Sequence, residues 1–438
     1  MSRPTAGERV SQARSLLRSE GYAGVSSRLL NRASRWLSPA GGERLKVARG
    51  DLIRAGEIAS AGWRLPAPLP LADGEPLEVA WVCVPPGAGA GGFTTLYRLA
   101  SSLERAGNRC VVYLDDRHGW SLERHRKTIR EWWPSLQAEI RSTADGIEDA
   151  HAIFATSWET AYPVLTSPAK GTRFYLVQDF EPLFYAAGSE SLLAAATYRF
   201  GFHGVTAGRW LQQELQRRYG MAADHFDFGC DLSRYGLQNA AERSGICLYS
   251  RPSTPRRAFE LAISALDLFA ERHPDVPIHL YGESVGNLPF AAIDHGMLTP
   301  DELNGLYNRC VAGLVLSATN ISLVPHEMLA AGCIPVVNDA EQNKMVLDNP
   351  EVLYAQATPF ELANALDAVV ERSPAEQSSA ARAAAASVQG ASWDDAGTTV
   401  ERIVRETIDA ANRAYATGDA PTRSSRVTPE TFAPISVS

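Results

Sequence analysis

Three places in this sequence could do chemistry. The run Tyr249-Ser250-Arg251-Pro252-Ser253-Thr254-Pro255-Arg256-Arg257 stands directly before Ala258–Arg272, whose apolar residues recur at helical spacing. Arg251 and Arg256 therefore flank the start of a helix. Backbone N–H groups and the dipole at that end already favour an anion. A guanidinium adds bidentate phosphate geometry, so a diphosphate is the expected guest. The second place is Glu327, in Pro325-His326-Glu327-Met328-Leu329-Ala330-Ala331-Gly332-Cys333-Ile334-Pro335-Val336-Val337. This reads as a helix opened by Pro and closed by Gly, then a short buried strand. A carboxylate in the first turn complements the positive helix end, or has a further duty. The third is Pro85-Pro86-Gly87-Ala88-Gly89-Ala90-Gly91-Gly92, in which Gly87, Gly89 and Gly92 fit GxGxxG between a strand and a helix. Asp115 and Asp116 end the next strand at about the distance of a ribose contact, the pattern of a dinucleotide-dependent oxidoreductase. A tight turn with close helix approach explains the same glycines. NAD-type sites hold their diphosphate mainly through glycine, so the arginines argue for another nucleotide ligand.

These residues need a scaffold, and the hydrophobic pattern supplies one. Strands are expected at Glu78–Pro85, Arg109–Asp115, Ala152–Ser157 and Phe174–Gln178. A second set follows at Gly245–Ser250, Pro277–Tyr281, Val311–Ser317 and 334–338. Helices at 93–106, 258–272, 301–308, 326–331 and 359–372 alternate with them. The expected class is α/β, with two Rossmann-like doubly wound domains facing across a cleft. Ligands of such sheets bind outside the carboxyl ends of the strands. The polar stretch after Gly229-Cys230-Asp231 marks the boundary between the sets. The expected organisation is a basic helical extension (1–50), a linker (51–76), a first domain (77–240) and a second (241–397). A C-terminal helix (398–415) and a disordered tail (416–438) complete it.

Bulk properties narrow the classes. A chain of 438 residues exceeds one typical core. Net charge is −8, which disfavours nucleic acid as a partner. Residues 1–50 hold ten Arg or Lys against three Asp or Glu, so they carry +7 and the remainder −15. Residues 7–37 read as an amphipathic basic helix with Trp36 as an aromatic anchor, suited to an anionic membrane surface or to packing on the body. The six cysteines form no CxxC pair and read as packed thiols of a cytoplasmic protein. No run of apolar residues is long enough to span a membrane. There is no Asp-x-Asp, and the nine histidines show no ligand spacing, so no metal is expected. His203 and His151 remain as weaker candidates near the cleft.

Arg251 with Arg256, the run Leu303–Ser317 before a loop, and Glu327 heading its helix together resemble the second domain of a GT-B glycosyltransferase of the GT4 kind. The Gly87–Gly92 loop and Gly229-Cys230-Asp231 fit the first domain, so the resemblance covers residues 77–415. Tyr175–Tyr185, Phe200–Trp210 and Arg251–Arg257 are similar to rhamnosyltransferases that build bacterial surface glycans, such as S-layer glycan chains. The resemblance implies that Arg251 and Arg256 hold the donor diphosphate and that Glu327 accepts from the donor ribose. Gly91 and Gly92 would approach the phosphates and sugar. Asp179 and Glu181 would face the acceptor; in an inverting scheme one of them takes its proton as catalytic base, and in a retaining scheme, which the resemblance favours, the leaving phosphate takes it. Many such enzymes carry a further Glu eight residues before the ribose Glu. Thr319 stands there instead, leaving Asn320, Ser322 or loop N–H groups to meet the donor sugar. The implied activity is transfer of L-rhamnose from dTDP-rhamnose to a glycan or lipid-linked acceptor, without a cofactor, at the inner face of the membrane. A sugar-nucleotide or glycan-binding scaffold without catalysis is the other class left open.

Overall fold

The computed structural model describes residues 47–61, 65–87, 90–117, 119–240, 243–390 and 392–418. The chain divides into compact units at Met1–Ala48 and Arg49–Ser438, and the fold belongs to the second. The expected basic helix at 7–37 and nearly all of the expected tail lie outside the described residues.

The first sheet is built from β1 (Glu78–Cys83), β2 (Arg109–Leu114), β3 (Glu139–Ser142), β4 (Ala152–Ala155), β5 (Thr172–Val177), β6 (His203–Ala207) and β7 (Ala223–Phe226). All pairs are parallel, in the order β3-β2-β1-β4-β5-β6-β7. The second sheet holds β8 (Ile246–Ser250), β9 (Ile278–Gly282), β10 (Ile293–Asp294), β11 (Ala312–Val315), β12 (Ile334–Asn338) and β13 (Leu353–Ala355). It too is parallel, in the order β10-β9-β8-β11-β12-β13. The central strands β1, β4, β8, β11 and β12 are largely apolar runs, with polar residues only at the ends of β1, β8 and β12, because helices cover both faces. The first core is aromatic, with Trp81 on Phe154 at 4.2 Å and Phe154 on Phe174 at 4.9 Å. The second is aliphatic and thiol-rich, and all six cysteines are free and buried. Helix starts follow local chemistry: Thr299 with Glu302, and Ser373 with Glu376, form capping boxes, each with Pro at the first helical position.

Two expected boundaries are corrected. Residues 51–76 are not all linker, since a helix spans Arg49–Ala61. It packs on the helix Trp158–Thr166, and Thr166 Oγ1 donates to Asp51 at 3.2 Å. The last helix is not 398–415 but Trp393–Thr417, capped by the Ser392 hydroxyl. It leaves the second domain and completes the first, where Ala396, Val400, Ile403, Val404 and Ile408 join the core. Two glycines permit this return. A Cβ on Gly397 would lie 2.0 Å from Ser102 Oγ, and one on Gly229 would lie 2.6 Å from the Trp393 backbone nitrogen.

Candidate functional site

Carboxyl ends of strands from both sheets meet at one seam, and hydrogen bonds stitch it. Asp179 follows β5. Its Oδ1 accepts from Asn320 N at 2.9 Å and its Oδ2 from Thr319 Oγ1 at 3.1 Å, both beyond β11. The Asn320 side chain donates back to the carbonyls of Gln178 and Ala207, each at 2.9 Å. A Cβ on Gly208 would strike Val346 at 2.8 Å, so the domains also touch by close packing.

The arginine turn lies on this seam. Pro255–Arg257 forms a single 3-10 turn after β8, and Ala258 closes it with φ 47° and ψ 48°. A left-handed alanine costs about 1 kcal/mol, and it turns the chain sharply into the following helix. Arg256 Nε lies 3.2 Å from Asp179 Oδ2. The pair is held by charge, since the N–H is not aligned as a hydrogen bond. The Arg256 guanidinium also stacks over Phe184 at 4.1 Å. Arg251 is braced within its own domain by Glu283, with Nε 3.2 Å from Oε1. Glu283 is in turn held by the backbone N–H and hydroxyl of Ser253, which keep its carboxyl below the usual range. Arg257 was not singled out from the sequence. It donates to Ser317 Oγ at 3.0 Å, and burial lowers its pKa against the opposing pull of Asp179.

Glu327 sits in the first turn of the helix Val324–Ala330. Among the described residues no side chain or backbone N–H donates to its carboxylate. Burial pushes that carboxyl up to about 7, opposed by Arg98 and reinforced by Asp231. Arg98 comes from the helix Gly91–Arg105 of the first domain, pairs with Asp231 at 3.0 Å and lies over the Trp393 ring at 5.1 Å. That same helix begins at Gly91 and Gly92 with no side-chain cap. Neither glycine has a left-handed φ. A Cβ on Gly91 would meet nothing within 4 Å, and one on Gly92 only the Gln178 amide at 3.9 Å. Backbone and packing thus do not demand glycine here. What the pair provides is room beside bare N–H groups.

Several expected roles change. Glu181 does not face an acceptor: it is 6% exposed, with Oε2 accepting from Trp158 N at 2.7 Å and Oε1 from the Tyr175 hydroxyl at 2.8 Å. Burial raises its carboxyl to about 8. Asp179 lies at the seam, but both its oxygens are engaged by the second domain. Asn320 spends its amide N–H groups on the first domain and is 1% exposed, so it bridges the domains, while its Oδ1 has no partner among the described residues. The Ser322 hydroxyl is buried with no partner and stays available. His151 and His203 lie at the amino ends of β4 and β6, away from the seam. His151 accepts from Glu78 N, and His203 pairs with Asp224. Asp115, the ribose acceptor of the oxidoreductase reading, is bound to Arg117 at 2.8 Å and Thr143 at 3.0 Å. Among the described residues no group of His, Cys, Asp or Glu could hold a metal. No helix among them is long and apolar enough to cross a membrane.

Residues 244–367 match the family described as WsaF, C-terminal domain. The O-antigen biosynthesis protein RfbC of Myxococcus xanthus is 33% identical over 276 residues, 60% of this chain and 21% of that protein. The chain thus spans about a fifth of the length of this curated relative. Among solved structures, HepE of Anabaena in complex with UDP-glucose superposes with a TM-score of 0.57 at 14% identity, over 76% of this chain and 100% of its own. WaaG, a glycosyltransferase involved in lipopolysaccharide biosynthesis, gives 0.52 at 13% identity, over 74% and 99%. With its two parallel-sheet domains meeting at their strand ends, the chain has the GT-B glycosyltransferase fold, and its second domain carries the WsaF C-terminal signature.

Proposed function

We propose that this chain is a glycosyltransferase that passes a sugar from a nucleotide donor to a growing cell-surface glycan. One observation carries the reading: Arg251 and Arg256 follow the carboxyl end of β8, and Glu327 opens the helix that follows the neighbouring parallel strand β11, as a half-buried carboxylate with no donor among the described residues. The guanidiniums hold the donor diphosphate, Glu327 accepts from the ribose, and the bare N–H groups at Gly91 and Gly92 approach the phosphates. Charge builds on the departing diphosphate as the sugar becomes oxocarbenium-like, and fixed cations oppose it with little reorganisation. The acceptor oxygen bonds to the anomeric carbon, the bond to the phosphate oxygen breaks, and the acceptor proton passes to that departing oxygen. This route is preferred because Glu181 lies inside the first domain and Asp179 is already engaged. The donor is dTDP-L-rhamnose, a choice that rests on the likeness of Tyr175–Tyr185 and Arg251–Arg257 to surface-glycan rhamnosyltransferases. The unpartnered Ser322 hydroxyl and Asn320 Oδ1 are the loop contacts for its sugar. The basic segment 1–50 holds the enzyme to anionic lipid at the inner face of the membrane, and the 438-residue chain should bind such vesicles better than a chain starting at residue 51.

A donor screen over dTDP-L-rhamnose, UDP-glucose, UDP-N-acetylglucosamine and GDP-mannose tests the proposal. Release of nucleoside diphosphate should be fastest from dTDP-L-rhamnose. Faster release from another donor would replace the sugar and keep the class. Binding of a nucleotide sugar with no release would favour a scaffold. Binding of NADH and of no nucleotide sugar would return the site to an oxidoreductase.

A further inference from the structure

Arg256 belongs to the second domain, yet the first domain sets its orientation. A guanidinium is a planar fork with five N–H donors. Here its Nε edge is turned to Asp179 at 3.2 Å, and its face lies over Phe184 at 4.1 Å. Both partners follow β5 of the first sheet. Among the described residues neither Nη of Arg256 has a protein acceptor, so the fork end is left for another anion. Asp179 is itself fixed, because Thr319 Oγ1 and Asn320 N donate to it from the second domain. The Arg256 carbonyl accepts from Ala318 N at 2.9 Å, tying the arginine turn to that same loop. Arg251 differs: its brace, Glu283, lies within its own domain.

We infer that Asp179 and Phe184 are positioning residues that aim the Arg256 fork at the donor diphosphate from the opposite domain. The inference rests on the proposed function for its ligand. It makes tight donor binding a property of the seated pair of domains and not of the second domain alone. Asp179 shares its charge with the edge of Arg256 and leaves the bidentate end to the phosphates. The rival arrangement is a plug, in which the Asp179 carboxylate holds the place that a phosphate must take.

The two arrangements predict opposite signs. The full chain and the variants Asp179→Asn, Phe184→Leu, Arg256→Ala and Asp179→Asn with Arg256→Ala should be titrated calorimetrically with dTDP and with UDP. Thermal melting confirms that each variant is folded. Asp179→Asn and Phe184→Leu should each weaken the tighter of the two nucleotides by about threefold to twentyfold. The double variant should bind no more weakly than Arg256→Ala alone, within about twofold, because both act through one guanidinium. Phe184→Leu leaves the carboxylate in place, so it keeps the test valid if Asp179→Asn fails to fold. Tighter binding by Asp179→Asn would establish a plug and overturn the inference. So would losses that multiply in the double variant. If the unaltered chain binds neither nucleotide, its donor is not a dTDP- or UDP-sugar, and the inference falls with that reading. Intact binding with unchanged affinities in Asp179→Asn and Phe184→Leu defeats the inference alone.

Discussion

The facing rims of the two sheets each present a carboxyl raised above its usual range, and the protein treats the two differently. Glu181, behind β5, is raised to about 8 and receives two short hydrogen bonds from its own domain. Glu327, beyond β11, is raised to about 7 and receives none among the described residues. A raised carboxyl is thus a buried internal strut on one rim and, on the other, a half-buried acceptor with no donor among the described residues. A displaced pKa does not by itself mark a site, and the state of the oxygens decides. The cations follow the same division. Arg251 and Arg256 of the second rim keep fork ends with no acceptor among the described residues, whereas Asp179 and Phe184 of the first rim are committed to bracing Arg256.

The comparison breaks most visibly at Glu181. Its carboxyl ionises near 4.5 in the unfolded chain and about 8 in the folded one. Between those values the folded chain binds the extra proton, so stability should fall as pH rises from about 5 to 8 and level off above. Glu181→Gln should flatten that slope by about 2–4 kcal/mol in denaturant titrations at pH 5.5 and 8.5, without changing nucleotide affinity. A change in affinity instead would return Glu181 to the site. Arg256→Ala should cost about 1.5–3 kcal/mol in dTDP or UDP binding, the loss of a charge-assisted contact, with the fold kept. Glu327 sharpens the contrast. If hydroxyls donate to its ionised form, nucleotide affinity should rise through pH 7, by about tenfold between pH 6 and 8, and Glu327→Gln should abolish the rise. A flat profile in the unaltered chain would make Glu327 another strut. The smallest effect is expected at Ala258. Ala258→Gly should relieve the left-handed backbone and raise stability by about 0.5–1 kcal/mol.

The sequence exposes the second domain better than the first, for identifiable reasons. Central strands such as β1, β8 and β12 are largely apolar runs and stand out. β3 carries Glu139, Arg141 and Ser142, and β7 carries Asp224 and His225, because edge strands face solvent and lose that signature. β10 is two exposed residues, visible only through its pairing with β9. Of the candidate site, Arg251, Arg256 and Glu327 stand out in the sequence because charges beside a helix start are locally unusual. Phe184, Arg98 and Glu283 do not, since each acts on a residue distant in the chain and its own neighbours give no cue. Asp179 was found but misassigned, because no local pattern shows that both its oxygens are met from the other sheet. The return of the last helix was missed for the same reason. Its apolar stripe reveals a buried face but not which core receives it.

That return has a consequence for how the molecule is made. Val400, Ile403, Val404 and Ile408 complete the hydrophobic interior of the domain that leaves the ribosome first. The nascent amino-terminal half must therefore hold an apolar groove open while the whole carboxyl-terminal half is synthesised. Its closure waits for that helix, and the period before it leaves apolar surface open to aggregation.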